Sequence, residues 1–164
     1  MTEPQRLFLV QARSDFEVFN FIRQQETIPH CHALHYLQMA TELLGKAFDW
    51  HKGPPVKLSH RAFVKFLKSL ETNKVARKQL GYENKNAKWA QLIRKGMSLA
   101  EQIEDLAPAN AGDNPNPEYP WPRGSPTNAP AEFLFPLWVE LTATAGRQFL
   151  DLLSKLFSVA EAYI

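Results

Sequence analysis

Between Pro29 and Phe48 the chain carries His30, Cys31, His32, His35, Met39, Glu42 and Lys46. Wound at about 100° per residue, His32, His35, Met39, Glu42 and Lys46 fall within about 80° of one another. That stripe lies beside an apolar arc holding Leu37, Ala40, Leu43, Leu44 and Ala47. One side of the helix is fit to pack, and its neighbour carries groups that move protons or hold ligands. With Asp15 and His60, the stripe supplies six candidates for acid–base work: Asp15, His32, His35, Glu42, Lys46 and His60. His32 and His35 are spaced to reach one metal ion, with His30, His51, His60, Asp15 or Glu42 to complete a site. The metalloprotease spacing His-Glu-x-x-His is absent and nothing specifies a third ligand, so no metal is expected. Ser59-His60 lacks the glycines of a nucleophile elbow, and the seven glycines form no phosphate-cradling loop. No cofactor is expected either. Cys31 starts a helix, where the dipole would lower its pKa, but a lone buried cysteine is ordinarily inert.

These groups need helices to place them. The pattern predicts a first helix over about Pro4–Gln25, with Leu7, Phe8, Ala12, Phe16, Phe19 and Ile22 on its apolar face. Asp15 interrupts that face, and a carboxylate turned to a core is expected to be paired there. A short connector ending in Pro29 leads to the second helix, so the two form an antiparallel hairpin. Lys52-Gly53-Pro54-Pro55 breaks the chain, and Ser59 is placed to cap a third helix over roughly 60–71. A helical turn near 74–80 ends at Gly81, and a further helix spans about 86–107. Eight of the twelve prolines fall in 108–136, a density at which no helix or central strand is expected. Its Tyr119, Trp121, Phe133 and Phe135 predict an ordered strap docked on the helices rather than a free linker. The C-terminal segment 137–164 carries the last helix, over about 144–163, broadly apolar from Phe149 to Ala160 and either central or at an oligomer interface. The expectation is a single all-α domain over 1–164: a helical core (1–107), a proline-rich strap (108–136) and the last helix.

The net charge of +2 hides a segregation. Residues 1–45 carry −2, residues 46–96 carry +10 and residues 97–164 carry −6. A basic middle of that size can attract a polyanion, and Arg61, Lys65, Lys68, Arg77, Lys78 and Lys88 are the candidate nucleic-acid contacts. The alternative is that they are solvated helix faces paired with the acidic remainder of the chain. The 45% hydrophobic and 22% charged composition is that of a globular protein, with no apolar run of membrane-spanning length and no signal-peptide block. A cytoplasmic protein is expected.

Three consecutive pieces resemble the HEPN domain, an all-helical module of RNA-processing and conflict systems. Ala12-Arg13-Ser14-Asp15-Phe16 resembles its first helix. His35 to Ala47, containing Gln38, Ala40, Glu42, Lys46 and Ala47, resembles its second. Leu58-Ser59-His60 resembles the turn that opens the next one. The resemblance covers residues 7–71 and implies an up-down helical bundle, often dimeric and often encoded beside a nucleotidyltransferase or other antitoxin. The family's metal-independent ribonucleases use an arginine followed by histidine near the start of the last core helix. This chain has no histidine after His60. Arg23 and His30 match the spacing but sit at the end of the first helix and its connector, so the ribonuclease role is not carried over.

Three functions follow as expectations. The first is a non-catalytic binder of RNA, a nucleotide or a partner protein in a bacterial RNA-processing or toxin–antitoxin context. The second is a homodimeric assembly protein joined through the last helix. The third is a ribonuclease or nucleotide-acting toxin with a non-standard site.

Overall fold

The computed structural model describes residues 1–50 and 60–164. Helix α2 (His30–Asp49) is the centre of the fold. Its Ala33, Leu37, Ala40, Leu44 and Ala47 alternate small and large at steps of four and three, and all are fully buried. That seam lets α1 (Glu3–Ile22) lie along it as the expected hairpin. Pro4 sits in the first turn of α1, and the Thr2 amide donates to Gln5 Oε1 at 2.8 Å. The helix stops three residues before the expected Gln25, and the chain uses 23–29 to reverse direction ahead of Pro29.

Helix α3 (Ala62–Leu70) crosses α2 at Gly45. A Cβ there would sit 2.4 Å from the Ala62 carbonyl carbon, so only glycine admits the crossing. The expected cap, Ser59, lies outside the described residues. The first turn of α3 is capped from elsewhere: Glu104 Oε1 accepts from the Val64 amide at 2.9 Å. Helix α4 (Lys74–Gln79) is capped by Asn73, which accepts from the Ala76 amide, and terminates before Gly81 at φ 77°. Helix α5 (Asn86–Asp105) docks through the fully buried Trp89, whose Nε1 donates to the Leu70 carbonyl at 2.7 Å.

The strap is ordered, as its aromatics imply. Against the expectation of no helix here, it opens with one helical turn, α6 (Pro108–Ala111), because Pro108 sits in the first turn, where its missing N–H costs nothing. Asn116 then folds the following loop by accepting from the amides of Glu118 and Tyr119. Trp121, Phe133 and Phe135 pack into one cluster, Phe133 meeting both other rings edge-on, with Trp121 and Phe135 buried. Tyr119 is the exception and stands exposed.

The C-terminal segment holds the expected last helix and, unforeseen, a short helix ahead of it. Ala143 adopts extended backbone (φ −73°, ψ 168°) and separates α7 (Pro136–Thr142) from α8 (Thr144–Val159). Pro136 opens α7 at the first helical position, where its missing N–H costs nothing. Gly146 lets the first turn of α8 press on α7, since a Cβ there would meet the Glu140 carbonyl oxygen at 2.2 Å. The apolar residues of α8 are covered within the chain: Phe149, Leu150, Leu152, Leu153, Leu156 and Phe157 are all buried. Among the described residues the fold is all-α, with eight α-helices and no strand beyond an isolated Trp121–Asn128 bridge. No described helix is long and apolar enough to cross a membrane.

Candidate functional site

The crossing at Gly45 brings the start of α3 against the polar stripe of α2 and assembles its best-defined cluster. Glu42 is buried, and three groups meet at its carboxylate. Gln38 Nε2 donates to Oε2 at 2.6 Å, Lys46 Nζ bonds Oε1, and His60 Nδ1 lies 2.9 Å from Oε2. Gln38, Glu42 and Lys46 are successive turns of one helix face, whereas His60 comes from 18 residues away. Burial pushes the Glu42 carboxyl up, but the hydrogen bonds from Lys46 and His60 and their charges prevail and hold it below its ordinary value. A carboxylate on Nδ1 favours the tautomer that leaves Nε2 as a proton acceptor, and the half-exposed His60 ring gives it access to solvent. Chemically this is an anchored acid–histidine pair with a lysine beside it.

The stripe's other half forms a second, looser group. Asp15 is buried on α1, where Gln11 Nε2 donates to its Oδ1 at 2.9 Å and its Oδ2 has no partner among the described residues. Burial raises its pKa despite the Gln11 bond and the nearby His35. The expected ion pair is therefore absent in direct form. His35 faces Asp15 on one side and, at 3.5 Å, Glu118 of the strap on the other. His32 is exposed and joins neither group. His30, offered as a further metal ligand, instead stacks on Trp138, with ring centroids 4.3 Å apart and planes 14° apart. Among the described residues no three His, Cys, Asp or Glu side chains are grouped to hold a metal, and His51 lies outside them. Cys31 is buried, which raises its pKa against the helix-dipole expectation.

The basic residues divide. Arg61 Nη2 pairs with Asp105 at 2.7 Å and also approaches the buried Glu104. Lys65 pairs with Asp49 at 3.2 Å, and Lys78 with Glu83 at 3.5 Å. Of these three only Arg61 pairs with the acidic remainder of the chain, whereas Lys65 and Lys78 take carboxylates of the basic middle itself. Lys68, Arg77 and Lys88 make no ion pair with the described residues. Lys88 lines a groove of about 340 Å³ between α5 and α8 with Lys95, Lys155 and Tyr82. Asp151 is the one carboxylate in that lining.

Sequence reading singled out neither Lys95 nor Lys155 for this role. Lys88 and Lys95 are seven apart and share an α5 face, a signal available in the sequence. Lys155 belongs to the acidic third of the chain and reaches the groove only through tertiary packing. Glu104 and Glu118 were likewise missed, each being a polar residue whose partner is set by the fold, whereas Gln38, four residues before Glu42 on the same helix, could have been named from spacing.

Comparison of the chain with protein-family models, with curated proteins and with solved structures found no match.

Proposed function

We propose that this chain is a HEPN-like helical module that binds single-stranded RNA, without cleaving it, through the groove between α5 and α8. One observation carries the reading: Lys88, Lys95 and Lys155 line a single groove and are not neutralised by ion pairs with the described residues. Unpaired lysines on a concave surface release counterions when phosphates replace them, which is the main source of RNA affinity. Tyr82 at the same groove offers a face for an unstacked base. The resemblance of residues 7–71 to HEPN helices supports the RNA context. The internal partnering of Glu42 supports a structural task for the residues that carry that resemblance. The test is fluorescence anisotropy with a labelled single-stranded RNA. Wild type binds, and the triple variant Lys88→Gln, Lys95→Gln, Lys155→Gln loses most of that affinity at unchanged thermal stability. Equal binding by the two overturns the reading.

A second reading has its own observation, the Glu42–His60 contact with an exposed imidazole. In that reading His60 Nε2 takes the proton from a ribose 2′-hydroxyl, the 2′-oxygen bonds to the adjacent phosphorus as the P–O5′ bond breaks, and the departing 5′-oxygen takes a proton from water. Cleavage lost in His60→Gln and retained in His32→Gln supports it. RNA left intact on prolonged incubation with wild type removes it.

A further inference from the structure

A second cavity, of about 330 Å³, lies where the end of α1 meets the α7–α8 corner, and it differs from the lysine groove in chemistry. Its apolar wall is Phe19, Trp138, Leu141 and Leu150, its two charges are Arg23 and Arg147, and no carboxylate lines it. Each key wall is held in place by a group outside the apolar floor. Trp138 is stacked by His30 in near-parallel planes. Arg147 follows Gly146, whose lack of a side chain clamps α8 on α7. Its guanidinium donates to the Thr142 carbonyl at 2.5 Å and to the Thr144 hydroxyl at 3.4 Å, which leaves further N–H donors for a ligand. Arg23 rests over the Phe19 ring at 5.5 Å and forms no ion pair with the described residues.

An apolar, aromatic wall beside two positive guanidiniums and no acid suits a ligand with a planar body and an anionic end. The volume falls within the range of small-molecule sites. Guanidinium groups are also the side chains best matched to phosphate. We infer that this cavity is a binding site for a nucleoside monophosphate, with the base against Trp138 and the phosphate met by Arg23 and Arg147. The site stands apart from the lysine groove: the two linings share no residue. It therefore offers a small-molecule input to the domain that does not depend on how RNA is bound.

Calorimetry on the full chain with AMP, adenosine and inorganic phosphate tests this. AMP binds, and adenosine binds at least about tenfold more weakly, as loss of a charge-assisted contact requires. Phosphate alone gives no comparable heat. Arg23→Gln, at an exposed helix end, lowers AMP affinity by about tenfold or more without shifting the melting temperature. Trp138→Leu also weakens AMP, and the lysine triple variant leaves it unchanged. Adenosine binding as well as AMP, an unaffected Arg23→Gln, or AMP affinity lost only in the lysine variant would each overturn the proposal. Arg147→Lys guards against a folding artefact, since it keeps a charge at the corner. A folded Arg147→Lys with wild-type AMP affinity contradicts a planar guanidinium contact.

Discussion

His60 Nδ1 lies 2.9 Å from Glu42 Oε2, and this contact ties the start of α3 to the middle of α2 across a buried carboxylate. Removing the acid strands two donors and a lysine that is itself mostly buried. Breaking a buried, paired charge costs about 3 kcal/mol. Glu42→Ala is therefore expected to melt roughly 6–12 °C below wild type. Urea and thermal unfolding followed by circular dichroism check this. A variant as stable as wild type would show that the cluster does not support the fold.

The same carboxyl sets an acid limb. Its folded pKa lies below the ordinary 4.5, so its stabilisation is complete above that value and is lost as pH falls through the folded one. Wild-type stability should fall across that acid window, and Glu42→Gln should show a shallower fall from a lower starting point. Parallel pH profiles would contradict the assignment.

Asp15 predicts the opposite sign. Burial places its folded pKa above the ordinary 3.8, so the stability contributed by its neutral form is present below that value and is lost as pH rises through the folded pKa. The groups facing it are Gln11 on its own helix and His35 on α2, with Glu118 beyond His35. Asp15→Asn keeps an acceptor for Gln11 and removes the charge. It is expected to melt no lower than wild type at neutral pH, with the difference vanishing at pH about 3. A marked loss of stability at neutral pH would mean the ionised form is needed.

Gly45 makes a prediction opposite to helix propensity. Alanine in a helix interior is ordinarily favoured over glycine by about 1 kcal/mol. Here its Cβ would collide with the backbone of Ala62 and Phe63, which no rotamer change relieves. Gly45→Ala is expected to cost roughly 3 kcal/mol, the upper part of the overpacking range. Gly124→Ala, with open space around it, serves as the control and should be neutral. Equal stabilities for both variants would refute the close crossing.

Much of the helical layout was legible from periodicity, because α1, α2, α3 and α5 each repeat large apolar residues at helical spacing. The docking of the strap was legible for another reason: proline disfavours regular structure while tryptophan and phenylalanine demand burial, though the helical turn opening on Pro108 was not foreseen. The short helix α7 was missed because its seven residues open directly on the proline-rich strap and are too few to show a helical period. For the site, Gln38, Glu42 and Lys46 could be placed on one face from their spacing alone. That His60 completes the group depends on the helix crossing, and so does the long-range cap by Glu104. The division of the basic residues into paired and unpaired sets was not legible at all. Lys65 and Lys68 are three apart on the same short helix, yet only Lys65 has Asp49 within reach.

The most direct test of the RNA-binding reading is the salt dependence of affinity for a single-stranded RNA. Each phosphate neutralised adds about 0.7 to the slope of log K against log salt. Replacing Lys88, Lys95 and Lys155 by glutamine should thus lower the magnitude of the slope by about 2 relative to wild type. A slope unchanged in the triple variant, or no RNA binding by wild type at low salt, would contradict the account.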